Sequence, residues 1–155
     1  MPNYKGHLLG GLVTYCLVFF LCIGSASSLL TALEWLLFAL AGSLFPDVDI
    51  KSKGQKYFYY VVLLIFIVLA FKGQFKKLSC FSFIVITPML TRHRGMFHSV
   101  WFVVLMPLLI YIAMASIFPE LSRPFLLNAF FFIAGALSHI FLDRGFSRMF
   151  RYRRR

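Results

Sequence analysis

The sequence predicts an all-α integral membrane protein, a compact helical bundle of about four to six spans. Three observations predict it. The 155-residue chain is 61% hydrophobic and 14% charged, against roughly 45–50% and 25% in soluble domains. Its mean hydropathy is +0.84, and its apolar residues gather in runs at 8–24, 29–45, 57–71, 78–90, 100–118 and 125–142. This composition excludes a soluble domain and a disordered chain. At about 20 residues per spanning helix, the chain is too short for most transporter folds built from two repeated halves. The expected organisation is one helical membrane domain over residues 1–155 with a basic tail at 144–155.

The first run follows Lys5 and ends at Gly24-Ser25-Ala26, an outline shared with secretory signal peptides. Its 17 residues sit at the upper edge for such a segment, and cleavage would discard His7, so we read an uncleaved first span. Gly6 and Gly10 give it a GxxxG spacing that suits close helix packing. The run at 29–45 is long enough to cross a hydrocarbon core of about 30 Å at 1.5 Å per residue. Those at 57–71 and 78–90 are short, either tilted spans or a re-entrant pair, and in both cases the chain returns to the side it left. The runs at 100–118 and 125–142 are full spans. Pro88 and Pro107 fall inside apolar runs, where kinks are expected. Short connectors make sequence neighbours antiparallel. Cys16, Cys22 and Cys80 lie within apolar runs without paired spacing and read as apolar fillers.

The net charge of +11 comes from sixteen Lys and Arg against five Asp and Glu. In a membrane protein such an excess collects on the cytoplasmic side, and no nucleic-acid partner is expected. With six crossings and the N-terminus inside, twelve bases are cytoplasmic: Lys5, Lys51, Lys53, Lys56, Arg92, Arg94, Arg144, Arg148, Arg151, Arg153, Arg154 and Arg155. Four are outside: Lys72, Lys76, Lys77 and Arg123. The expected location is therefore the inner (cytoplasmic) membrane, multi-pass, with both termini cytoplasmic and the Arg151 to Arg155 tail held on anionic headgroups.

The same topology puts seven candidate ligands at one membrane face. His7 precedes the first span; Asp47 and Asp49 follow the second; His93 and His98 precede the fifth; His139 and Asp143 end the sixth. His139 and Asp143, four apart, share a helix face. His93 and His98, five apart, would need a break at Gly95 to converge. Carboxylates near bilayer depth cost about 2.5–3.5 kcal/mol each even on a lenient scale, so a cluster of them implies a partner. A divalent metal fits best. Imidazole with carboxylate favours Zn, Mn or Fe over Ca. Seven candidates exceed the three protein ligands usual for one catalytic zinc, so either two ions share them or some act as general acid, general base or supporting groups. Glu34 lies thirteen residues before Asp47 on the same helix, about 20 Å away, and is expected to serve an outer-side hydrogen bond, with Arg123 a candidate partner.

At these residues the chain resembles the YdjM-like family of membrane-bound metal-dependent hydrolases, also described as LexA-binding inner-membrane proteins. The resemblance rests on His7, the Gly-x-x-x-Pro-Asp-x-Asp segment from Gly42 to Asp49, His-Arg-Gly-x-x-His-Ser from His93 to Ser99, and Ser-His-x-x-x-Asp from Ser138 to Asp143. Relatives often continue with a Thr-containing, Gly-ending turn; here Arg144-Gly145-Phe146-Ser147 follows instead. The resemblance implies a hydrolase, and a LexA association in some relatives. Chemistry narrows the substrate to a phosphoester or phospholipid at the cytoplasmic face, with Arg92 and Arg94 binding phosphate and Asp49 and His98 catalytic. The competing expectations are a divalent-metal-binding or metal-transporting membrane protein without hydrolytic activity, and a purely structural one. A transporter should place its ligands near the bilayer midplane, whereas these lie at one face.

Overall fold

A computed structural model describes residues 3–22, 24, 28–48, 52–90 and 97–145, with the side chains at 83, 84 and 86–90 set aside. Six helices follow one another: α1 (Tyr4–Cys22), α2 (Leu29–Leu44), α3 (Lys53–Phe71), α4 (Phe75–Leu90), α5 (Val100–Ile117) and α6 (Ser122–Arg144). Single 3-10 turns at Phe45–Asp47 and Pro119–Leu121 extend α2 and introduce α6, and no strand occurs among the described residues. The architecture is the predicted all-α membrane bundle.

The helix starts are fixed by local chemistry. Ser28 and Ser52 are extended and cap α2 and α3, their hydroxyl oxygens accepting from the Thr31 and Gln55 amides at 3.2 Å. The Ser52 cap starts α3 four residues before its apolar run, giving a 19-residue helix that meets the length a span requires. Gly54 lies against Asp47 at one end of α3, and Lys72, just past the other end, pairs with Glu34. Thus α3 runs beside α2 for its full length and is no shallow re-entrant dip. Among the described residues, five helices are long and apolar enough to cross a membrane. The remaining one, α4, has 16 residues, about 24 Å at 1.5 Å per residue and short of a core of about 30 Å.

Helix α2 is the centre of the bundle, packed on α1, α3 and α6. Its residues Trp35, Ala39, Ala41 and Leu44 are buried, whereas α1 turns Leu17, Phe20 and Leu21 outward and α5 turns Trp101, Leu105 and Leu109 outward. Such large apolar groups belong in lipid. Close approach of α2 and α6 is set by two glycines. A Cβ at Gly42 would lie 2.0 Å from the Phe132 carbonyl oxygen, and one at Gly135 the same distance from the Ala39 carbonyl oxygen. In the first helix the tight contact with α2 falls at Gly11, which faces Ser43, while Gly10 faces Leu142 of α6. Gly135→Ala should therefore destabilise the bundle by at least the roughly 1–3 kcal/mol of overpacked cores, because the obstructing atoms are backbone and cannot rotate away. Thermal unfolding in detergent would show this, and an unchanged midpoint would count against so close an α2–α6 contact.

The lysines unexpected on an outer face, Lys72 just after α3 and Lys76 and Lys77 in the first turn of α4, have acid partners. Lys72 and Lys77 both bind Glu34, the latter at 3.1 Å, Lys76 binds Glu120 at 2.9 Å, and Asn128 donates to Glu34 at 2.6 Å.

Candidate metal centre

At the opposite end of α2, the chain turns through Phe45–Asp47, with Pro46 opening the 3-10 turn. Phe45 and Val48 are buried and hold the turn down, and Gln55 donates to the Val48 carbonyl at 2.9 Å. Asp47 is left at the surface of the bundle end. Across from it Phe97 is fully buried edge-on to Phe45 and Phe102, with ring centres 5.4 and 5.1 Å apart. Anchoring Phe97 fixes the adjoining His98, one residue before the Ser99 cap of α5. His139 and Asp143 come from the last turns of α6 on one helix face.

These four side chains meet. One ligand atom from each of Asp47, His98, His139 and Asp143 lies within 4.8 Å of all the others. His98 Nε2 is 3.3 Å from Asp47 Oδ1 and 3.7 Å from Asp143 Oδ2; His139 Nε2 is 3.7 and 3.4 Å from the same two oxygens. Charge-assisted hydrogen bonds are shorter, about 2.7–2.9 Å. Donors bound tetrahedrally to one ion at about 2.0–2.2 Å would be roughly 3.3–3.6 Å apart, close to the 3.3–3.7 Å between these nitrogen and oxygen atoms. The His139 tautomer agrees. Its Nδ1 donates to the Ser43 carbonyl at 2.7 Å, leaving Nε2, fully buried and without a hydrogen-bond partner, to face the carboxylates. The cluster lies near the C-terminal ends of α2 and α6, whose polarity favours a cation. The Asp/His cluster could thus hold a metal ion.

His7 lies beside this group. Its ring stacks on His139 with centres 3.7 Å apart, and its Nε2 is 3.5 Å from Asp143 Oδ1, the oxygen turned away from the other two histidines. Asp143 therefore bridges His7 to the cluster. The other candidates, Asp49, His93, Arg92 and Arg94, lie outside the described residues. Two contributions were not apparent in the sequence: the Ser43 carbonyl that orients His139, and Phe97 as the anchor of His98. The Ser43 contact spans 96 residues, and no local pattern announces it.

Burial pushes the His98 imidazole toward its neutral form, but the neighbouring carboxylates of Asp143 and Asp47 outweigh burial and raise its pKa to about 9. Because the folded value is raised, the stabilisation from this charge is complete below the ordinary histidine value near 6.5. It is lost as pH rises through about 9. A metal requires the neutral ring, so ion affinity changes in the opposite sense. Metal-free protein should melt at lower temperature as pH rises through this window while its metal affinity increases, and His98→Ala should flatten both trends. Melting curves in chelator and metal titrations at matched pH would check this; parallel pH trends for the two quantities would contradict it.

Comparison with known proteins follows the same line. The model of the YdjM inner membrane protein family matches residues 1–148. The chain belongs to that family. No curated protein and no solved structure matches it.

Proposed function

We propose that this family member is a membrane-embedded, metal-dependent hydrolase acting at the cytoplasmic face on a phosphoester, foremost a phospholipid. The observation that carries the proposal is the convergence of Asp47, His98, His139 and Asp143 with the donor spacing of a coordination shell. Two imidazoles and two carboxylates suit Zn, Mn or Fe. A divalent ion there supplies Lewis acidity and lowers the pKa of water at the site. Asp143 offers its second oxygen toward His7, so these two begin the donor set for a second ion, with Asp49 and His93 as further candidates. His139 is held by Ser43 and is fully buried, whereas the Asp47 and His98 side chains remain 28% and 17% exposed. Substrate enters on that open side. In this reading Asp49 would take a proton from the attacking water as its oxygen bonds to phosphorus, and the P–O ester bond would break with the leaving alcohol protonated in turn. His98 in its neutral form would belong to the donor set, and Arg92 and Arg94 would hold the phosphate oxygens.

The cytoplasmic placement rests on the twelve-to-four distribution of bases. Labelling of single cysteines at Ser52 and Arg155 should report the same side; opposite sides would overturn it. For activity, metal-loaded protein should be assayed against phospholipids and phosphomonoesters. Turnover is expected to disappear in Asp47→Asn, while Arg94→Ala should raise KM and retain metal, since a guanidinium clamps phosphate but cannot ligate a cation. Fully loaded protein that hydrolyses none of these esters would reduce the assignment to metal binding alone.

A further inference from the structure

The end of the bundle remote from the metal centre holds a cavity of about 400 Å³, lined by Glu34, Lys72, Gln74, Lys77, Arg123 and Asn128 among others. We propose that it binds the headgroup of an anionic, hydroxyl-bearing phospholipid of the phosphatidylglycerol type, taken from the leaflet on that side, and that one acyl chain lies in the adjoining apolar groove.

Charge is the first support. Lys77 and Glu34 are almost wholly buried, and Lys72 and Lys77 share the one Glu34 carboxylate. Two ammonium groups against one carboxylate leave positive charge in a poorly solvated place, a costly arrangement that an anion offsets. Hydrogen-bonding capacity is the second. Asn128 spends its amide N–H on Glu34, which directs its carbonyl oxygen elsewhere; that oxygen and the Gln74 side-chain oxygen are buried and accept no hydrogen bond. Acceptors of this kind want a donor, which a glycerol hydroxyl supplies. A phosphatidylcholine headgroup has neither the net negative charge nor the donor.

Shape is the third. The polar cavity shares Lys77 and Asn128 with an apolar groove between α4 and α5, floored by Phe38 and Phe132 and walled by Phe81 and Pro107. Its volume is only about 50 Å³, so a chain would lie along its surface with the rest of its length in the bilayer. Polar cavity and apolar groove meeting at two side chains have the plan of a headgroup joined to a tail. Nothing in this inference depends on the hydrolase proposal, and the metal centre is about 20 Å away along α2.

The test uses the full-length, metal-loaded protein, delipidated in detergent, with binding read by native mass spectrometry and by thermal shift. Dioleoyl phosphatidylglycerol should bind at least tenfold tighter than dioleoyl phosphatidylcholine, and glycerophosphoglycerol, the headgroup without tails, should bind far more weakly than the lipid. Lys72→Gln, which removes a cation at the partly open mouth, and Cys80→Trp, which fills the groove, should each weaken phosphatidylglycerol binding about tenfold while metal content is unchanged. Equal binding of the two lipids would overturn the proposal whether or not the variants fold. So would tail-free headgroup binding as tight as lipid, or unaltered binding in both variants.

Discussion

Asp143→Asn is expected to leave the purified protein with less than a tenth of its metal while the helices remain formed. The wild-type carboxylate faces His98 and His139 with one oxygen and His7 with the other. An amide keeps the shape but removes the charge and one acceptor. Disturbing even a supporting group around a metal typically costs 10–100-fold in affinity, and Asp143 touches every described histidine of the cluster. His139→Ala should match it, because the Ser43-oriented nitrogen is lost. Elemental analysis, metal titration and circular dichroism on both variants make the check. If both retain a full complement of metal, the ion is held elsewhere.

Glu34→Gln should produce the largest loss of stability in the chain without removing metal from the folded fraction. The substitution leaves Lys77, 2% exposed, beside Lys72 with no carboxylate between them. Removing one partner of a buried ion pair costs about 3–5 kcal/mol, a large share of the roughly 5–15 kcal/mol by which proteins are stable. Adding Lys77→Met should restore part of the loss, since it removes the stranded charge. Thermal unfolding with metal analysis separates the two effects. A melting temperature like that of the wild type would mean that the ion pair is far better solvated than its burial implies, and metal loss equal to that of Asp143→Asn would mean that the centre extends to this end.

The spans were legible because the bilayer makes a uniform demand on them. Every apolar run of the sequence became a helix, and the main revision came at α3, where the Ser52 cap recruits Lys53 to Lys56 and completes a span that apolarity alone leaves short. Lys72, Lys76 and Lys77 show the opposite case. Their charge alone made them awkward on an outer face, and only tertiary structure supplies Glu34 and Glu120 as partners. In the candidate metal centre, the chemistry-bearing residues are few enough in so apolar a chain that Asp47, His98, His139 and Asp143 stand out individually. How they are oriented does not. The Ser43 carbonyl, the stacking of His7 on His139 and the wedge of Phe97 involve a backbone atom or ring packing between distant segments, and periodicity carries no trace of such contacts.

The glycine contact between α2 and α6 sets a standard of ionic radius. Gly135 precedes His139 by one turn and Asp143 by two, and Gly42 lies five residues before Asp47. The separation of the donor atoms is thus inherited from two backbones touching where side chains are missing. A bundle held apart at that crossing would spread the donors toward the 2.3–2.6 Å bonds of calcium and away from the 2.0–2.2 Å bonds of zinc. Which ion the Asp/His cluster would prefer is therefore governed in part by positions that would never meet it.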